Sequence, residues 1–419
     1  MQVKRYAGLL ALNWFSQGLL VSVLTLIMLD KGIALSQIAL AMGAYSVTAA
    51  LLEVPSGVAA DRLGKKRTFI AAQLVAAAAF GPLVFLQGAG WMFAAAALAG
   101  VSRALSSGTV EALFVSRHNA AFGEDRLPKA MRTLALAESI GLAAGALAGG
   151  FIPAVSVRLM PELGAYDLNL ILRVATCLLL AGLTALLIPN DPAEETRNKP
   201  LLMHLRDHIG VIRGSRSLKW ILISTVGLGV MLCALESYWQ PVFLGLLGGT
   251  QMTGMLGVLS VLYFGAITAG NLVSERLLSR KLLEEKWVFI PARAVMLACM
   301  VCAALIASPI LFMLAYCLLY FFLGVANIAE GAMIHRDVPD SSRASMLSVQ
   351  SFTMQAGALA LSLSSTAIIG VLPVNALWLF AAAASGLLLL PTLKISAYKQ
   401  ETVPVVCEVA QSGGEEAQT

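Results

Sequence analysis

The chain has 419 residues, 58% of them hydrophobic and only 13% charged, with a mean hydropathy of +0.80. Water-soluble domains carry about 25% charged residues, so a soluble protein is excluded. The net charge of +5 comes from basic residues confined to alternate loops, which excludes nucleic acid as a partner.

A helix needs about 20 apolar residues to cross a bilayer. Twelve such segments are predicted, at 6–29, 36–60, 67–87, 91–116, 131–153, 168–189, 218–241, 251–274, 287–307, 310–335, 343–370 and 373–393. The first, Tyr6 to Leu29, exceeds the apolar core of about 7–15 residues of a cleaved signal and is read as a span. With the N-terminus inside, 24 Lys and Arg fall on the inner side and two, Lys31 and Arg158, on the outer. This asymmetry predicts that both termini are cytoplasmic, and the high Ala and Gly content suits a bacterial inner membrane. Arg103, Arg173 and Arg293 lie within spans.

Span 1 carries the amides Asn13 and Gln17 on one face, with Trp14 beside them. In an apolar helix they need partners and are read as lining a substrate cavity. Glu53 lies in the inner half of span 2 and shares a face with Gly57 and Asp61. Arg103, about 20 Å from the inner end of span 4 at 1.5 Å per residue, sits near the midplane. It faces either a cavity or a structural acid, and a cavity is favoured. Glu111 closes span 4 and Glu138 lies in span 5.

Residues 190–217 form the longest loop. Leu201, Leu202, Leu205, Ile209 and Ile212 recur there at helical spacing, which predicts a short interfacial helix. The organisation expected is a six-helix bundle over 1–189, this linker, a second bundle over 218–393 and a disordered tail over 394–419. In span 7, Glu236 is a cavity candidate, whereas Tyr238 and Trp239 suit a membrane-interface position. Glu330 closes span 10.

The halves resemble each other. DRLGKK at Asp61 and ERLLSRK at Glu275 are 214 residues apart; Glu111/Arg117 and Glu330/Arg336 repeat with an offset of 219; AGALA recurs at 144 and 356. Parallel repeats of six helices build transporters whose site lies between the halves. The symmetric acids suggest scaffold ion pairs, Glu111 with Lys65 and Glu330 with Arg280. Glu138 has no repeat counterpart and is the preferred proton carrier, with Arg103 as partner.

The segment GVAADRLGKKR, Gly57 to Arg67, resembles the signature between helices 2 and 3 of the major facilitator superfamily, with Gly57, Asp61, Arg62, Gly64, Lys65 and Lys66 in register. The resemblance implies an all-α, twelve-helix fold of two pseudo-symmetric bundles. It also implies gating by this loop, which latches helix 2 to helix 11; Glu111 and Glu330 are grouped with it. GLAAGALAGG, with Gly141, Gly145, Gly149 and Gly150, resembles the antiporter motif of the drug:proton branch, with Ala146 in place of its proline. Without that likeness the glycines read as a close-packing stripe.

The expected function is secondary active transport by alternating access, as proton-coupled export of a small amphipathic compound or drug. Uptake of a small metabolite by proton symport and a lipid or lysolipid flippase are the alternatives. Proton-coupling candidates are Glu138, Arg103 and Glu53; cavity candidates are Asn13, Gln17, Arg103 and Glu236. No zinc spacing or phosphate-cradling loop occurs, so the expected protein is a monomer with no cofactor or metal and no enzyme activity, driven by the proton gradient.

Overall fold

A computed structural model describes residues 2–107, 109–123, 127–190, 215–249, 252–338 and 343–395. The interfacial helix expected within 190–217 and the disordered tail expected beyond 394 lie almost wholly outside these residues. The described chain is helical, with no strand among the described residues. In chain order the helices are α1 (Gln2–Val21), α2 (Leu24–Asp30), α3 (Ile38–Leu63), α4 (Lys65–Phe80), α5 (Ala89–Ser106), α6 (Thr109–Phe122), α7 (Leu127–Leu159) and α8 (Asp167–Leu187). After the linker come α9 (Arg216–Leu246), α10 (Gly254–Ser279), α11 (Glu285–Leu305), α12 (Pro309–Asp337), α13 (Arg343–Ile369) and α14 (Val374–Leu389).

Among the described residues, ten helices are long and apolar enough to cross a membrane, or eleven when the bent α1–α2 pair counts as one span. The remaining predicted span, 91–116, is divided between α5 and α6. Its regular helix stops at Ser106, three residues after the polar Arg103. The first predicted span bends by 52° between α1 and α2. Neither break follows a proline.

The bend has a tertiary cause. In a straight helix the Thr25 amide would donate to the Val21 carbonyl four residues back. Here the Gln240 carboxamide of α9 stands between them. Its Oε1 accepts from Thr25 N at 2.7 Å and its Nε2 donates to Val21 O at 2.7 Å. One side chain thus replaces the missing backbone bond and leaves neither group unpaired.

Close packing follows the glycines. A Cβ on Gly141, Gly145 or Gly149 of α7 would lie 2.1, 2.1 or 2.4 Å from the Ala11, Phe15 and Leu19 carbonyl oxygens of α1. No larger residue lets these backbones approach so closely. Asn169 of α8 ties the same seam, donating to Leu19 O and Gly149 O.

The halves meet at the end opposite the basic loops. Hydrogen bonds cross there from Thr25 to Gln240 and Ser237, and from Ala39 to Tyr238. Gly150 packs on Gly257, and Gly43 on Ser362. The larger apolar cluster runs across this junction, from Leu20 through Ile38 into α9–α14. A second cluster, around Tyr6, Phe69 and Phe114 near the basic end, stays within the N-terminal helices.

Candidate functional site

A cavity of about 250 Å³ opens among α1–α5 and α8. At about 30 Å³ per water, it has room for roughly eight waters, or a small organic molecule. Its polar lining is Asn13, Gln17, Tyr45, Gln73, Ser102, Ser106, Arg103 and Arg173. Met28, Met42, Met92, Phe80 and aliphatic side chains supply the rest. Thioethers and an aromatic ring adapt to irregular apolar shapes.

The polar groups are held by the packing of their helices. Asn13 Oδ1 accepts from Gln73 Nε2 at 3.1 Å, which ties α1 to α4 and leaves Gln73 Oε1 without a partner. Arg173, 9% exposed, donates to Ser16 Oγ at 2.7 Å, and its guanidinium lies 5.7 Å from the Phe80 ring centre. Arg103 is exposed on the cavity wall and stands 6.0 Å from the centre of the Trp14 ring. A ring face attracts a cation without neutralising it.

Trp14 of α1 and Glu111 of α6 both lie close enough to the Glu138 carboxyl of α7 to interact with it. Trp14 therefore stands between Arg103 on the cavity wall and the neighbourhood of two acids, Glu111 and Glu138. Arg103 and Glu138 form no ion pair among the described residues. The expected Glu138–Arg103 pair is therefore replaced by two contacts that share one tryptophan.

The other expected residues fall as follows. Asn13, Gln17 and Arg103 line the cavity; Glu236 lies outside its lining and accepts from Tyr320 Oη at 3.1 Å. Tyr238 and Trp239 are fully buried in the α9 core, not at a membrane interface. Glu53 is exposed, and Gly57 faces open space, because the halves join at the opposite end. Asp61 and Arg62 form no ion pair among the described residues. Gly64 makes the one-residue turn between α3 and α4 with φ +91°, a conformation that favours glycine. Lys65 follows it at the start of α4, and Lys66 is buried, donating to Ala185 O at 2.8 Å and Asn190 Oδ1 at 3.2 Å. It anchors α8 within its own half.

Glu330 corrects the expected pairing with Arg280. It is fully buried and bonded to Arg293 of α11 and, at 2.6 Å, to Thr225 of α9. Arg280 is exposed. The symmetric acids therefore have different roles, Glu330 in a core ion pair and Glu111 beside a second carboxyl. Sequence reasoning missed Arg173, Gln73 and Tyr45 as lining residues. A lone arginine in the apolar run 168–189 was the available signal for the first, and an amide in the apolar run 67–87 was the signal for Gln73; nothing in the sequence marked Tyr45.

With the geometry in view, the comparisons are clear. The profile of the Major Facilitator Superfamily matches residues 6–284. The chain belongs to the Major Facilitator Superfamily and is a multi-pass membrane transporter, not an enzyme. No curated protein sequence matches it. Among solved structures, a mutant form of the nucleoside transporter NupG is similar with a TM-score of 0.78 at 16% identity, over 94% of this chain and 99% of that one. An auto-inhibited POT family peptide transporter gives 0.71 at 14% identity, over 96% and 98%. A bacterial homologue of the lysosomal transporter Spinster gives 0.69 at 13%, over 95% and 98%. At these identities the likeness is one of fold alone.

Proposed function

We propose that the protein is a proton-coupled secondary transporter that exports a small amphipathic organic compound by alternating access, as a monomer. The observation that carries the reading is Arg103 on the cavity wall with Trp14 against it, and with the acids Glu138 and Glu111 in the neighbourhood of that tryptophan. A proton gained or lost there changes the charge beside Arg103, so it is coupled to what the cavity holds. The segregation of Lys and Arg to one set of loops supports placing both termini in the cytoplasm of an inner membrane. In that orientation the observed closure is on the outer side. Export rests on the resemblance at Gly141, Gly145, Gly149 and Gly150.

The test is external pH in de-energised, weakly buffered cells overproducing the protein, as compounds are added one at a time. Acidification as a compound enters marks antiport and supports export. Alkalinisation marks symport and replaces export with uptake. Glu138→Gln should abolish the proton signal while the protein still reaches the membrane; an undiminished signal refutes the role of Glu138.

A further inference from the structure

Four cations set among the helices fall into two contrasting pairs. Lys31 is paired with Asp167 at 2.5 Å, and Arg293 is paired with Glu330. Each has its counter-ion beside it. Arg103 and Arg173 form no ion pair among the described residues, yet both line the same cavity. No Asp or Glu lines that cavity.

An arginine placed within a membrane-spanning segment is costly, and more so as it is desolvated. Neutral ring faces and one hydroxyl offset part of this. Arg173 still leaves its Nε without any hydrogen-bond partner, although the residue is only 9% exposed. Tyr45 lines the same cavity as both guanidinium groups. A guanidinium presents parallel N–H donors that match the two oxygens of a carboxylate.

We propose that this cavity binds small organic anions, with a carboxylate held between Arg103 and Arg173 and an apolar body against the methionines and Phe80. This names the substrate class of the transport reading above and rests on it. The missing counter-ion is then the cargo. In the C-terminal half the protein supplies its own, Glu330, and leaves no comparable charge for a ligand.

The test is equilibrium binding to purified full-length protein in detergent, without any gradient. The probes are benzoate, 3-phenylpropionate and 4-phenylbutyrate, each against its neutral amide, read by tryptophan fluorescence and thermal midpoint. At least one acid should bind about tenfold or more tightly than its amide, the discrimination expected of charge-assisted hydrogen bonds. Arg103→Gln should weaken that acid by about tenfold and leave the amide unchanged. Arg173→Lys, which keeps the charge in case the neutral variant does not fold, should lower affinity while keeping the preference for acid over amide. Acids that bind no better than amides, or not at all, overturn the proposal, as does full acid affinity in both variants. Acid binding without compound-driven proton movement would refute proton coupling and leave the anion site standing. Proton movement driven by neutral or cationic compounds, with no preference for acids, would do the reverse.

Discussion

Replacing Glu330 by Leu leaves Arg293 buried without a counter-ion. The pair lies in the core: Glu330 is fully buried, Arg293 is 5% exposed, and Thr225 donates to the carboxylate at 2.6 Å. Two Arg293 nitrogens, Nε and Nη1, already lack partners, so no second acceptor stands ready. Breaking a buried pair from one side costs about 3–5 kcal/mol. At 1.4 kcal/mol per factor of ten, that is roughly a 140- to 3,700-fold rise in the unfolded fraction. The assay is thermal unfolding in detergent, with a double-mutant cycle closed by Arg293→Met. The double variant should recover most of the loss, because removing both charges also removes their desolvation cost. A Glu330→Leu protein as stable as the parent, or a double variant with the summed loss of both singles, would refute the assignment of this pair to the core.

The Gln240 clasp yields a conformational prediction. Gln240→Leu strands Thr25 N and Val21 O, at about 1–3 kcal/mol each, only when the halves are closed at that end. Labelling of Met28→Cys by an impermeant thiol reagent from that end, in a background without native cysteines, should rise about tenfold or more; unchanged labelling counts against the clasp. Gly145→Ala places a Cβ 2.1 Å from the Phe15 carbonyl and should sharply reduce folded yield by size-exclusion chromatography. Gly182→Ala, with nothing within 4 Å, should be neutral. Tyr166, in the loop before α8, has its hydroxyl pushed up to about 12, first by burial and then by the nearby Asp30. A folded-state value above the usual figure of about 10 means that its contribution is intact below pH 10 and lost as pH rises through 12. Tyr166→Phe should flatten the alkaline unfolding curve across that window; an identical curve would refute the assignment.

Much of the fold was legible along the chain. The apolar runs and the alternation of basic loops follow from the cost of placing backbone and charge in hydrocarbon, which each segment meets for itself. Gly141, Gly145 and Gly149 also announced a packing stripe, because four-residue spacing alone puts them on one helix face. Asn13, Gln17 and Arg103 were marked as cavity residues by the cost of burying a polar group in an apolar helix. That cost says a partner is needed and does not name it.

Naming the partner took the tertiary structure. Glu111 and Glu330 occupy equivalent places in the repeat, yet one meets a carboxyl and the other an arginine, since Glu138 and Arg293 come from other helices. The 52° bend at residue 22 has no proline or glycine to announce it; a glutamine more than 200 residues away completes it. Arg173 and Arg293 look alike in sequence, each a lone cation in an apolar run. Only the assembled bundle gives one an acid and the other a cavity. Local pattern reports what each segment must hide or expose, while the pairing of charges depends on distances that exist only once the helices have packed.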